Sequence, residues 1–242
     1  MMQTPFRRPT FRRSTVRLDR RRAVLAILAT APFTTLGAWI SLFLAPGTVG
    51  TIGMVICQIC FISHAIAWTV YIDHQPLKLP PPKPVDWRVG GWLSLLMAGI
   101  ILLSYWLIGR HWIDPNIVQS GMVQIGTRNP WILTIACLYF SFVNAFIEEY
   151  IWRRFMLHQC QKLAPKNLAI LLSALLFTTH HIIILLAYTP LPVILGGSLG
   201  VFSAGAIWSW YYLHYRSLWG CYFSHVAADL ALYFITFILL WG

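Results

Sequence analysis

Seven stretches of nearly unbroken apolar residues divide the chain: Ala23–Ala45, Val49–Ile72, Gly90–Ile108, Trp131–Ile147, Leu168–Tyr188, Leu191–Tyr212 and Ser217–Trp241. Each falls in the range of roughly 17–25 residues that a helix needs to cross a bilayer. In lipid the backbone must hydrogen-bond to itself, so all seven are read as helices and none as isolated strands. The pattern predicts an all-α fold, a polytopic membrane helix bundle of about seven transmembrane helices. Between the second and third stretches, Asp73–Arg88 carries Pro76, Pro80, Pro81, Pro82 and Pro84 and reads as a stiff extended linker. Gly109–Pro130 reads as the other long loop. On the sixth stretch Gly196, Gly200 and Ala204 recur at four-residue spacing, a stripe that lets a neighbouring backbone approach.

Composition sharpens this picture. The chain is 58% hydrophobic and only 10% charged, less than half the usual charged share of about 25%. The net charge of +11 suggests nucleic acid until its placement is considered. Eight arginines (Arg7, Arg8, Arg12, Arg13, Arg17, Arg20, Arg21 and Arg22) precede the first apolar stretch. An arginine-rich arm there holds an N-terminus in the cytoplasm and favours anionic headgroups. Nothing behind it is soluble enough to shape a groove, so no nucleic-acid partner is expected. With the N-terminus inside, sixteen of the eighteen Lys and Arg residues fall on the cytoplasmic side. Only Arg110 and Arg128 fall outside, and the C-terminus is expected outside with them. The chain divides into a basic cytoplasmic arm (1–22), three transmembrane helices with their loops (23–130), and a core of four transmembrane helices (131–242). Cys57 and Cys60 form a C-x-x-C inside an apolar stretch with no second pair, and are read as small buried hydrophobes.

The acidic residues are few: Asp19, Asp73, Asp86, Asp114, Glu148, Glu149 and Asp229. The first four lie in the arm or the loops. The two glutamates are adjacent at the inner end of the fourth stretch, and Asp229 sits well inside the last. An ionisable group inside a membrane costs about 2.5–3.5 kcal/mol on insertion scales, so each needs a reason. Glu149 and Arg153 are four apart and share a helix face, where they can pair. Glu148 points about 100° away and is free to face a cavity as a general base. Phe177 and His181 lie one turn apart in the fifth stretch, beside His180, which substitutes for His181 if the register shifts. His225 and Asp229 lie one turn apart in the seventh. By helical rise, Glu148 stands about 5 Å, His225 roughly 12 Å and His181 roughly 20 Å from the inner surface. These depths are compatible with one cavity facing the cytoplasm.

E-E-x-x-x-R (Glu148, Glu149, Arg153), F-x-x-x-H (Phe177, His181) and H-x-x-x-D (His225, Asp229), in this order over four helices, resemble the CPBP family. Its members are the CAAX proteases and bacteriocin-processing (Abi) intramembrane proteases. The resemblance spans roughly Trp131 to Trp241. It implies an intramembrane endopeptidase whose catalytic residues are Glu148, Glu149, Arg153, His181, His225 and Asp229. Glu148 would activate water with help from His181. His225 and Asp229 would stabilise the oxyanion, and Glu149 with Arg153 would organise the helix. The prenyl-protein endopeptidases of the family typically carry asparagine at the last position. Asp229 must therefore be protonated, orient His225, or help hold a metal. No cofactor is required by a glutamate mechanism, although two histidines and a carboxylate could bind zinc. The expected partners are the lipid bilayer and a peptide or protein substrate, with or without a prenyl group. Two rival readings are a silent scaffold or immunity protein on the same fold and a proton-linked transporter.

Overall fold

The structure is a computed structural model, and it describes residues 11–126 and 129–242, with side chains from Leu18 onward. Arg7 and Arg8 of the arm, the side chains of Arg12, Arg13 and Arg17, and Arg128 therefore lie outside the described residues. Among the described residues the chain is helical, with no strand. Seven helices are long and apolar enough to cross a membrane, and the protein is an integral membrane protein. We number the helices α1 (Leu18–Leu44, already helical from Phe11), α2 (Thr48–Ile72), α3 (Asp86–His111), α4 (Pro115–Gln124), α5 (Pro130–Leu163), α6 (Lys166–Tyr188), α7 (Leu191–Tyr215) and α8 (Trp219–Trp241).

Three of the differences from the hydropathy reading have a local reason. α5 does not stop at Ile147 but runs for 34 residues to Leu163. The charges that interrupt its apolar pattern neutralise one another inside the bundle, so the helix continues past them. Glu148 and Glu149 thus sit near the middle of α5 and not at its inner end. The other long loop contains the short helix α4, started by Pro115 behind an Asp114 cap that accepts from the Asn116 amide at 2.9 Å. The Pro-rich linker is exposed and without helix or strand over 74–82, but its end is neither. Asp86, read as a loop acid, is fully buried at the start of α3. Its carboxylate accepts from Tyr211 Oη at 2.8 Å, Ser217 Oγ at 2.7 Å, the Gly220 amide at 3.2 Å and the Lys83 amide at 2.6 Å. Four donors make a buried carboxylate tolerable. They also dock α3 onto the α7–α8 turn.

The buried core gathers on α1, α2, α5, α6, α7 and α8 around Phe61, Trp152, Phe155, Phe177, Trp208 and Tyr211. Outward faces carry exposed Leu, Ile and Trp along nearly every span, as lipid-facing surfaces should. The small-residue contact on α7 is one register away from the expected stripe. A Cβ on Gly196 or Gly200 would meet nothing within 4 Å, whereas one on Gly205 would press on Ala174 and Phe177 of α6 at 3.3–3.4 Å. The close approach at Gly205 brings the α7 backbone to the site.

Candidate active site

The site is assembled from one stretch of α5 and single turns of α6, α7 and α8. α5 widens into π-type turns at Tyr139–Asn144 and again at Tyr150–Met156, on either side of the regular segment Ala145–Glu149. Such widened turns occur frequently at functional positions. Between them Glu148 is 7% exposed and Glu149 is fully buried.

Glu149 and Arg153 form the fixed part. The guanidinium grips the carboxylate through Nε to Oε2 at 2.8 Å and Nη2 to Oε1 at 3.1 Å, with both side chains at 0% exposure. The other guanidinium nitrogen, Nη1, donates to the Gly205 carbonyl at 3.1 Å and to Ser209 Oγ at 2.9 Å. The guanidinium also lies over the rings of Phe177 and Trp208, 5.1 and 5.4 Å from their centroids. Every surface of this buried cation is thus met by an acceptor or a ring, the condition under which a buried ion pair is sustained.

Glu149 holds a second partner. His225 Nδ1 meets Glu149 Oε1 at 3.0 Å, and its ring stacks on Trp208 with centroids 4.7 Å apart. The other nitrogen, Nε2, looks into the site, 3.9 Å from Glu148 Oε2 and 3.7 Å from Asp229 Oδ1. The one-turn spacing brings Asp229 beside His225 as expected, but Glu149 takes the close contact with the ring. The i,i+4 rule sees only pairs within one helix, and Glu149 arrives from another.

Both histidines of α6 reach Glu148. His180 Nε2 lies 3.7 Å from Glu148 Oε1. Among the described residues neither ring nitrogen of His180 has a hydrogen-bond partner. Its ring is packed flat on Trp152 and edge-on to Phe177. His181 Nδ1 instead contacts the Phe177 carbonyl at 3.1 Å, and the two imidazole centroids stand 4.1 Å apart. Phe177 touches His180, His181, His225, Trp152 and Trp208 at centroid distances of 4.7 to 6.0 Å. It is the wedge that spaces the histidines. One ligand atom from each of Glu148, His180 and His181 lies within 4.8 Å of the others, a donor set that fits a divalent cation.

All six residues singled out in the sequence, Glu148, Glu149, Arg153, His181, His225 and Asp229, meet around this point. The helix-rise estimate puts Glu148 close to the inner surface because it takes α5 to end there, whereas α5 continues to Leu163. Three participants escaped the motif reading. Asn144 donates from Nδ2 to Glu148 Oε1 at 3.1 Å, and Gln58 of α2 donates from Nε2 to Asn144 Oδ1 at 2.9 Å. Ser209 completes the Arg153 shell. Asn144 was findable as a lone amide one turn before Glu148, whereas the register of Gln58 against α5 has no local signal.

Residues 130–231 match the family model described as type II CAAX prenyl endopeptidase Rce1-like. Over this stretch the chain is similar to that family, consistent with the CPBP resemblance carried by the motifs. No curated protein matches the chain, and no solved structure does. The family match, together with seven membrane-length helices, supports an intramembrane protease role.

Proposed function

We propose that the protein is an intramembrane endopeptidase in which Glu148 activates water against a peptide bond of a membrane-associated or lipid-modified substrate. One observation carries the reading. A single carboxylate with 7% exposure stands within 4 Å of imidazole nitrogens from two other helices, inside the stretch that matches the endopeptidase family. Separations of 3.7 and 3.9 Å exceed a direct hydrogen bond, so neither imidazole ties up the carboxylate.

In the proposed reaction Glu148 takes a proton from that water as its oxygen bonds to the scissile carbonyl carbon. Charge develops on the carbonyl oxygen, where Nε2–H of His225 donates. The Glu149 contact at Nδ1 holds the ring in that orientation. Glu148 then returns the proton to the leaving nitrogen as the C–N bond breaks, so no covalent intermediate forms and no proton is lost. Asp229, beside Nε2, supports His225 from the outer side.

A second reading is favoured by the cluster of Glu148, His180 and His181. These residues would hold a divalent cation such as zinc, which would supply Lewis-acid polarisation of a bound oxygen.

The test is cleavage of prenylated and unprenylated peptide libraries by purified protein, with and without chelator, beside Glu148→Gln. Hydrolysis should fall by about 10²-fold or more in Glu148→Gln, with the variant still folded by thermal unfolding. Equal cleavage by the two proteins removes Glu148 as the base. No cleavage by the wild type under any condition sinks the protease reading.

A further inference from the structure

The general base has two oxygens, and only one can face the water. Asn144 Nδ2 donates to Oε1 at 3.1 Å, the oxygen that also stands 3.7 Å from His180 Nε2, while Oε2 is turned to His225 Nε2 at 3.9 Å. An asparagine amide is ambiguous, since it can rotate and present its own oxygen, which would repel a carboxylate. The carboxylate only accepts and so selects the NH2 end, and Gln58 reinforces that choice: its Nε2 donates to Asn144 Oδ1 at 2.9 Å. Both amides are half-buried among exposed apolar side chains such as Ile59 and Val143. In so apolar a setting few other partners compete for them, and an unsatisfied amide is costly.

We propose that Gln58 and Asn144 form a two-amide brace that fixes which carboxylate oxygen of Glu148 faces the reaction. Both are positioning residues. This rests on the assignment of Glu148 as the base. It gives α2, which lies outside the family-matching stretch, a direct part in setting the catalytic geometry. A one-turn relation within α5 provides the donor, and α2 provides its polarity.

Three consequences separate a brace from simple packing. Asn144→Leu should lower kcat by roughly ten- to a hundredfold with KM little changed, because a misplaced base slows chemistry more than binding. Gln58→Met, similar in size but unable to donate, should lower kcat by about three- to tenfold. The double variant should be no slower than Asn144→Leu within about twofold, since Gln58 acts only through Asn144. Independent, multiplying losses would overturn the brace, as would unchanged kcat in either single variant.

A second measurement does not depend on activity. The protein contains only two glutamates, Glu148 and Glu149, so glutamate labelled with 13C at the side-chain carboxyl should give two resonances. Glu148→Gln identifies the one belonging to Glu148. That resonance should move in Asn144→Leu and, less, in Gln58→Met, while the Glu149 resonance stays in place. A Glu148 signal indifferent to both substitutions refutes the brace even if the protein cleaves nothing. A shift without peptide cleavage would retain the brace and reject the protease reading.

Discussion

His225 is held by Glu149 and not by the aspartate on its own helix: Nδ1 lies 3.0 Å from Glu149 Oε1, whereas Nε2 and Asp229 Oδ1 stand 3.7 Å apart. One carboxylate thus ties together a guanidinium on its own helix and an imidazole from α8. The Glu149 carboxylate couples the orientation of the His225 ring to its ion pair with Arg153.

This arrangement ranks the two acids. Asp229→Asn should keep measurable activity, because an amide beside Nε2 can still donate toward the oxyanion. Asp229→Ala should lose more. Glu149→Gln should be at least tenfold slower than Asp229→Asn, since loss of its charge loosens both Arg153 and His225. Cleavage rates of the three variants decide this. If Asp229→Asn is the slowest, Asp229 and not Glu149 orients the ring during turnover.

Removal of Arg153 should act on stability before chemistry. Arg153→Met leaves Glu149 as a fully buried carboxylate without its cation, a type of change that costs about 3–5 kcal/mol. The expected result is a large drop in thermal unfolding temperature in detergent. Adding Glu149→Gln to Arg153→Met should recover part of the stability and none of the activity. A single variant as stable as wild type would mean that water reaches this pair.

The sequence reading and the structure part company in instructive places. Local spacing is reliable inside one helix: Glu149 with Arg153 and His225 with Asp229 are neighbours because four residues make about one turn. Hydropathy misleads where charge cancels charge: it ends the fourth span at Ile147 and puts the glutamates at a membrane edge, whereas α5 continues to Leu163. Asp86 was assigned to a loop because its donors, Tyr211, Ser217 and Gly220, lie far along the chain. Gln58 was passed over for the same reason. Contacts between helices depend on rotation about each axis, and an apolar stretch that faces lipid on one side and protein on the other carries little periodic signal of it.

The paired histidines of α6 give a metal test. If the glutamate mechanism operates, chelator should leave wild-type cleavage nearly unchanged, and elemental analysis should find no stoichiometric zinc. His180→Ala and His181→Ala should each slow cleavage, with the larger loss for His180, whose Nε2 lies 3.7 Å from Glu148. Loss of wild-type activity on chelation, restored by zinc and absent from both variants, would establish the metal reading instead.

Topology is testable without activity. From the distribution of basic residues the linker is expected on the cytoplasmic side. A reporter inserted within 77–85 should be cytoplasmic, and one fused after Gly242 should be non-cytoplasmic. A cytoplasmic C-terminal reporter would contradict the charge-derived orientation.

Asp86 and the exposed linker before it have a mechanical consequence. Segment 74–82 is open to solvent, but its flanks are tied down on both sides. Asp73 is bound to Lys162 and Gln159, and Asp86 is bound to the α7–α8 turn. A protease nick in this segment would therefore yield two fragments that remain clasped together, α1 and α2 in one and α3 to α8 in the other. The chain would be severed while Gln58 stayed against Asn144, so the halves made as separate polypeptides should reassemble into one working molecule.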